Sequence, residues 1–191
     1  MTGEDLLSTL EPYFIDGLSV NDIDKVTVLH DIFEKDFFSD GVTIDGEKLK
    51  VKPYKYRGSN ADRLPVDYES FYEKFVHIIT RSVKSSNWKT ASSIREFRPE
   101  RANRVHWIKP ILENWQDRRI TRFRNIENDG SIRDYFWYRQ KQYMVVVEYI
   151  SPDYALITGF CVDAENQPYY QRKYINRLPF RRGKFYSAPT F

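Results

Sequence analysis

The sequence predicts an α+β fold in which helices pack on a four-stranded antiparallel sheet, preceded by a small acidic α+β segment. Three observations predict this fold. Apolar residues recur at spacings of three and four between residues 67 and 118, which is typical of amphipathic helices. Residues 119–163 then alternate with period two and are divided by short polar connections, as in an antiparallel meander. The segment before residue 67 carries an Asp-Gly hairpin signal and an excess of acidic residues.

The composition is that of a folded chain. Its 191 residues suffice for one domain with a small extension. A hydrophobic content of 41% is too high for a disordered chain. No apolar run approaches the roughly 18 residues of a membrane span, and the acidic start MTGEDLLSTLEPYF does not resemble a secretory signal. A single cysteine, Cys161, excludes an intramolecular disulfide and any CxxC metal site. We therefore expect a cytoplasmic protein without a membrane partner.

The charge is distributed unevenly along the chain. Residues 1–68 contain 8 Lys+Arg and 14 Asp+Glu, a net charge of −6, whereas residues 69–191 contain 22 and 13, a net charge of +9. This asymmetry indicates a polyanion-binding body, although arginines are also common on ordinary protein surfaces. We expect the acidic segment to contact the basic body. Because surface ion pairs contribute below about 1 kcal/mol each, the contact should also use apolar residues such as Phe37 and Phe38.

The N-terminal segment predicts a helix at residues 21–38 followed by a hairpin. In VTIDGEKLKVKPY, the Asp45-Gly46 pair suits a tight turn with positive φ, and both arms alternate. The next stretch, KYRGSNADRLP, is rich in turn-forming residues and indicates a linker. We therefore divide the chain into an acidic segment, residues 1–66, and a basic domain, residues 67–191.

The first helical region of the basic domain begins after Asp67, a suitable N-cap. It carries an apolar stripe made of Phe71, Phe75, Ile78, Ile79 and Val83. His77 lies on the flank of this stripe, and we interpret it as structural because a lone histidine in an amphipathic helix usually marks the boundary of the buried face. The polar stretch SSNWKTASS then predicts a loop.

The second helical region starts near Pro99 and contains His106. On a helical wheel, His106 falls about 160° from Ile108, on the face opposite the apolar stripe. Pro110 has no N–H to donate to the carbonyl of residue 106, so the helix should kink or break beside the histidine. The pattern predicts an exposed imidazole next to a free carbonyl. Such a histidine is either a solvated surface residue or the acid/base of an active site.

The sheet is predicted from four strand-like runs, ITRFRNI, SIRDYFWYR, YMVVVEY and YALITGFCV. The first two carry basic residues, and the tail after residue 163 interleaves basic residues with aromatic ones. Such interleaving either binds phosphates while rings stack on bases or packs a terminal segment over the sheet. The residues that we predict to bind RNA are Arg122, Arg124, Arg139, Lys173, Tyr174 and Arg177.

The sequence lacks the short motifs of nucleotide, dinucleotide, zinc and serine-hydrolase sites, and its three histidines lie too far apart for a local metal motif. We therefore expect neither a cofactor nor a metal. Metal-free RNA cleavage is the chemistry that the sequence still allows, because a base, an acid and cations at the phosphoryl oxygens suffice for attack by the 2′-hydroxyl. Thr158 could hold a phosphate oxygen, or it could fill a buried strand position.

FRPERANRVHWIKPILEN and DYFWYRQKQYMVVVEYISPDYALITGFCVD resemble phage- and prophage-associated proteins assigned to the barnase/EndoU/colicin/RelE group of metal-independent ribonucleases. The resemblance covers roughly residues 95–176. It implies a histidine-bearing helix before a four-stranded antiparallel sheet that supplies basic residues and a Ser or Thr. It further implies that His106 is the acid/base, that Thr158 is the strand hydroxyl, and that Arg133 or Lys141 binds the phosphate.

The sequence leads to the hypothesis of a metal-independent endoribonuclease of a toxin, phage or defence system, which cleaves RNA through its 2′-hydroxyl and leaves a cyclic phosphate. The expected partners are RNA, with tRNA as one candidate, and an antitoxin or immunity protein. Two alternatives remain open: a non-catalytic nucleic-acid-binding accessory protein, and a phage-related protein-interaction module. Salt-dependent RNA binding without cleavage would favour the first, and absence of RNA affinity at moderate salt would favour the second.

Overall fold

The computed structural model describes residues 3–58, 62–84 and 93–179 and confirms the α+β class. The α-helices are α1 (Gly3–Ser8), α2 (Ile23–Glu34), α3 (Glu73–Ile79), α4 (Pro99–Ala102), α5 (Ile108–Glu113) and α6 (Gln167–Ile175). The strands are β1 (Thr43–Ile44), β2 (Glu47–Lys50), β3 (Thr80–Lys84), β4 (Ser93–Phe97), β5 (Ile120–Ile126), β6 (Ile132–Tyr138), β7 (Tyr143–Ile150) and β8 (Asp153–Cys161). A π-helical turn covers Lys35–Asp40, and 3₁₀ turns cover Val66–Ser70, Val105–Trp107 and Arg139–Lys141.

Within these residues, the main sheet has six strands in the order β1-β2-β8-β7-β6-β5, and β3 and β4 form a separate hairpin. The predicted antiparallel meander is present as β5 to β8. The predicted extent of four strands is wrong, because β2 joins β8 in parallel, with Leu49 opposite Tyr154, and brings β1 with it. This pairing satisfies backbone groups at an otherwise open sheet edge. It joins residues far apart in sequence, so no local pattern reveals it.

Successive strand residues point to opposite sides of the meander, and each side is buried in its own cluster of apolar residues. One side, which we call the helix face, packs in the main core against α1, α2, α3 and α5 and includes Phe136, Tyr138, Tyr143, Val145 and Leu156. The other side, which we call the α6 face, forms a second cluster that includes Phe123, Tyr135, Trp137, Met144, Val146 and Phe160. Tyr170 and Tyr174 of α6 pack on this second cluster. The predicted basic tail therefore begins with a helix, α6, that lies on the sheet.

The first predicted helical region is shorter than expected. The helix α3 ends at Ile79, and the chain continues directly as strand β3, because residues 80–84 find ladder partners in β4. Asp67, the predicted N-cap, lies inside a 3₁₀ turn instead. Most of the predicted loop falls on residues 85–92, which lie outside the described residues.

The second predicted helical region is divided into α4, a 3₁₀ turn and α5. Pro110 stands at the third position of α5, where an N–H would have no acceptor within the helix. The break therefore precedes the proline and falls on the turn that contains His106.

The acidic segment and the basic body share one core, which confirms the predicted contact between them. Phe37 is 6% exposed within that core, and Phe38 packs against it. Ion pairs add to the contact: Lys109 Nζ lies 2.9 Å from Asp40, and Lys141 Nζ lies 2.5 Å from Glu11. The apolar contacts dominate, because exposed ion pairs contribute little to stability.

The packing of α5 on β8 depends on Gly159. A Cβ at this position would lie 2.8 Å from Tyr143 Oη and 2.9 Å from Ile108 Cδ1. We expect Gly159→Ala to lower the free energy of unfolding by about 1 to 3 kcal/mol, as overpacking of a core does. Chemical denaturation followed by circular dichroism measures this change.

Tyr143→Phe provides the matched control. The Tyr143 hydroxyl is buried and has no hydrogen-bond partner among the described residues, so its removal should change stability by less than about 1 kcal/mol. In the double variant, part of the Gly159→Ala loss should be recovered because the closest atom is gone. Strict additivity of the two substitutions would show that this contact does not limit the packing.

Candidate functional site

His106 holds the N-terminal segment against the body. Its Nε2 lies 3.1 Å from the carbonyl oxygen of Glu11, to which Trp107 Nε1 also donates a hydrogen bond of 3.0 Å. The Tyr13 ring packs edge-on against the imidazole, at 5.5 Å between centroids. Burial lowers the pKa of His106, and its Nδ1 is buried without a partner among the described residues. One nitrogen is therefore engaged and the other is inaccessible, which leaves neither for a substrate.

The predicted catalytic residues lie on different sides of the sheet. Thr158 is opposite Val146 on β7 and shares the α6 face with it. Trp107, next to His106, packs on Tyr143 on the helix face, with ring centroids 5.4 Å apart. Thr158 and the neighbour of His106 therefore lie on opposite faces of the sheet, which does not support the shared site that the resemblance implies for His106 and Thr158.

The two predicted phosphate-binding cations are also separated. Lys141 contacts the Glu11 carboxylate, so it lies close to His106. Arg133 lies two residues before Tyr135 on β6, so both side chains point to the α6 face. There Arg133 lies 3.7 Å from Asp129. The structure therefore brings Lys141 close to His106 and leaves Arg133 with Thr158 on the other face.

Two of the predicted RNA-binding arginines are structural. Asp134 is 1% exposed and accepts hydrogen bonds from both Arg122 and Arg124. Arg122 also lies 2.6 Å from Asp45, and its guanidinium stacks 4.5 Å from the centroid of Trp115. These arginines neutralise the buried carboxylate of Asp134 and are not available for phosphates.

The other predicted RNA-binding residues meet on the α6 face. Arg139 and Arg177 lie 4.7 Å and 4.4 Å from the centroid of the Tyr174 ring. Lys173 is paired with Glu127 at 2.5 Å and is therefore neutralised. We call Arg139, Tyr174 and Arg177 the α6 patch. It is the part of the predicted RNA surface that the fold assembles.

Another polar site, which the sequence did not predict, lies between residues 51–58, α3, β4 and β8. It consists of two adjoining cavities of about 830 Å³ and 420 Å³ that share Tyr54 and Glu73. The charged and histidine side chains that line them are Lys50, Lys52, Lys55, Arg57, Asp62, Glu73, Lys74, His77 and Arg95. Six of these residues are basic and two are acidic. We call the two cavities together the basic cleft.

Residues 51–58, which we call the strap, form one wall of the basic cleft. After β2 the chain leaves the sheet and pairs with the residues that precede α3. Glu73 N donates to the Tyr54 carbonyl at 2.8 Å, and Tyr56 N donates to the Phe71 carbonyl at 2.9 Å. Lys52, Lys55 and Arg57 of the strap are exposed, and none has a carboxylate partner among the described residues. The strap thus presents three cations from a fixed backbone.

His77 and Arg95 form a fixed pair of hydrogen-bond donors in the cleft. Arg95 Nη2 lies 2.9 Å from His77 Nδ1, and its Nη1 donates to Thr80 Oγ1 at 3.0 Å. Burial, together with the charge of Arg95, lowers the pKa of His77 to about 4. The imidazole is therefore neutral at pH 7, and because Nδ1 accepts from the guanidinium, Nε2 carries the proton. His77 offers a ligand an N–H donor, which suits an anion.

Lys74 lines the smaller cavity. Its Nζ donates to the carbonyl of Ile157 at 3.1 Å. Burial lowers the pKa of this amine, and the neighbouring charge of Arg95 lowers it further. Asp62 lines the larger cavity and accepts hydrogen bonds from the Tyr56 hydroxyl and from the backbone N–H of Arg95, the latter at 2.9 Å. The walls of the cleft are therefore crosslinked before any ligand binds.

A local charge count would have indicated the cleft. Residues 1–47 contain 2 Lys+Arg and 12 Asp+Glu, whereas residues 48–63 contain 6 and 1. Averaging over the whole N-terminal segment concealed this basic stretch. His77 was missed for another reason: its role depends on Arg95, which the hairpin β3–β4 brings to it.

One group of side chains within the described residues has the spacing of metal ligands, namely His30, Asp31 and Glu34 on α2. Tyr72 occupies two of the three. Its backbone N–H lies 3.3 Å from His30 Nε2, and its hydroxyl donates to Glu34 at 2.8 Å. These bonds make the group an anchor between α2 and the residue that precedes α3.

Comparison with known proteins gives no match to a family model, a curated protein or a solved structure. In the part of the chain that the structure describes, no helix has the length and apolar character needed to cross a membrane.

The pKa of His77 gives a testable pH dependence. The folded protein keeps His77 neutral down to about pH 4, whereas the unfolded chain protonates it near 6.5. The unfolded state therefore binds more protons in this range, and the free energy of unfolding falls as the pH drops. Between pH 7 and 4.5, we expect the wild type to lose about 2 kcal/mol more than His77→Gln, measured by urea denaturation. Equal losses in both proteins would contradict the assigned protonation state.

Proposed function

We propose that the protein binds RNA through the basic cleft. The observation that carries this proposal is the set of three exposed strap cations, Lys52, Lys55 and Arg57, which have no carboxylate partners in the described part of the chain. Such cations attract a polyanion because phosphates that bind them release condensed counterions. The basic residues that pair with carboxylates elsewhere in the fold lack this property.

The inner surface of the cleft supports the proposal with donors that are already oriented. Arg95 and His77 are held by each other, and His77 presents a neutral N–H. Donors fixed in this way bind phosphate oxygens without losing side-chain freedom on binding. Of the two acidic residues, Asp62 is engaged by Tyr56 and Arg95, which reduces its repulsion of an anion.

The resemblance of residues 95–176 to metal-independent ribonucleases favours RNA among polyanions, and a cytoplasmic location would give access to it. The resemblance does not supply the site. The residues it implied are divided between the two faces of the sheet, whereas the cleft is built from the strap, α3, β4 and β8.

Metal-independent RNA cleavage in the same cleft is the second candidate function. The observation that favours it is that a carboxylate, Glu73, and an ammonium group, Lys74, both line the smaller cavity. Glu73 would take the proton of the 2′-hydroxyl, and the Lys74 ammonium would protonate the 5′-oxygen, leaving a cyclic phosphate. Incubation with tRNA and total RNA in EDTA tests this step. Cleavage that Glu73→Gln abolishes would support it, and would make an antitoxin or immunity partner worth seeking.

Charge reversal tests RNA binding directly. We expect Lys52→Glu/Lys55→Glu to weaken binding of total tRNA roughly tenfold or more at moderate salt. The slope of log affinity against log salt should fall by about 2, because each lysine that no longer binds a phosphate lowers it by about 1. Fluorescence anisotropy over a series of salt concentrations measures both quantities.

Two further variants with the same change in net charge serve as controls. Lys48→Glu/Arg118→Glu alters exposed residues outside the cleft and should change the affinity by less than about threefold. Arg139→Glu/Arg177→Glu alters the α6 patch. If the α6 variant alone loses binding, the RNA site lies there and not in the cleft. If the wild type shows no salt-dependent binding, an interaction with an acidic protein becomes the better explanation of the cleft.

A further inference from the structure

Tyr54 stands at the junction of the two cavities. It lines both of them, and 59% of the residue is exposed, although its backbone is hydrogen-bonded to the start of α3. A large aromatic side chain in this position contributes little to the core. Its exposed ring is therefore available to a ligand in the cleft.

The backbone around Tyr54 fixes where the ring is presented. The Tyr54 carbonyl accepts a hydrogen bond from Glu73 N, and the residue after it, Lys55, forms an isolated antiparallel bridge with Tyr72. Lys55 Nζ in turn lies over the Tyr72 ring, 3.8 Å from its centroid. The residues at the start of α3 thus hold the strap in place from Tyr54 to Tyr56, so binding of a ligand requires little further ordering of the backbone there.

Cations line both of the cavities that Tyr54 joins. Lys52 Nζ lies 5.8 Å from the ring centroid, within the smaller cavity. Arg57 and Arg95 line the larger cavity, which Tyr54 also lines. An aromatic platform with positive charge on either side is the arrangement by which proteins bind single-stranded nucleic acids without sequence preference.

We propose that the basic cleft selects single-stranded RNA, with one base stacked on Tyr54 and the flanking phosphates bound in the two cavities. This inference rests on the proposed function and adds the class of RNA. In a duplex the base faces are covered by their neighbours, so a ring on the protein surface cannot reach them. Cavities of about 420 and 830 Å³ are also in the size range that encloses small ligands such as single nucleotides.

The test compares a 5′-fluorescein-labelled 12-nucleotide oligouridine with a labelled 12-base-pair RNA duplex, using fluorescence anisotropy at one salt concentration. We expect Tyr54→Ala to bind the single strand roughly tenfold more weakly, the size of effect that loss of one stacked base produces. Tyr54→Phe keeps the ring and should stay within about twofold of the wild type, whereas Tyr54→Leu should resemble Tyr54→Ala. The wild type should prefer the single strand.

Tyr169→Ala is the matched control, because Tyr169 is a similarly exposed tyrosine on α6, 47% exposed and close to Lys173. It should bind the oligouridine as the wild type does. If Tyr54→Ala binds normally while Lys52→Glu/Lys55→Glu does not, the stacking inference is overturned and RNA binding in the cleft stands. If Tyr169→Ala shows the loss instead, the platform lies on α6. Equal affinity of the wild type for both RNAs would also overturn the selection of single strands.

Discussion

The parallel pairing of β2 with the first half of β8 is the constraint on which the rest of the structure depends. Only Leu49 and Lys50 take part, opposite Tyr154 and Ala155. This short pairing carries the N-terminal hairpin onto the sheet and allows the acidic segment to share the main core. Beyond Lys50 the chain diverges from β8 and binds the start of α3 instead. The gap left by that divergence is the smaller cavity of the basic cleft, lined by residues of both segments.

The fold uses its basic residues in two distinct ways. On the sheet, Arg122 and Arg124 surround the buried carboxylate of Asp134, where loss of one partner would leave an uncompensated charge. On the strap, the cations remain exposed and their backbone is fixed by hydrogen bonds to the residues before α3. Sequence composition counts both kinds alike. Only the position of the carboxylates distinguishes a structural arginine from one that can bind a phosphate.

The meander was predictable from the sequence because its strands are neighbours, alternate regularly and are joined by short turns. The β2–β8 pairing was not, since it depends on contacts between distant residues. His106 is partly exposed, as predicted, but residues 105–107 form a 3₁₀ turn, to which an α-helical wheel does not apply, and the wheel did not reveal the contact of His106 with the carbonyl of Glu11. His77 shows the opposite case, because a position at the edge of an apolar stripe becomes part of a polar site once Arg95 packs beside it.

The proposed RNA site lies at the strap and not at His106 or the α6 patch. Ultraviolet crosslinking of the wild-type protein to oligouridine, followed by mass-spectrometric mapping of the crosslinked peptides, tests this location most directly. We expect crosslinks within residues 52–57, with Tyr54 as the principal site because a stacked ring is closest to the base. Crosslinks confined to residues 104–109, around His106, or to residues 174–177 of the α6 patch would contradict the proposed location.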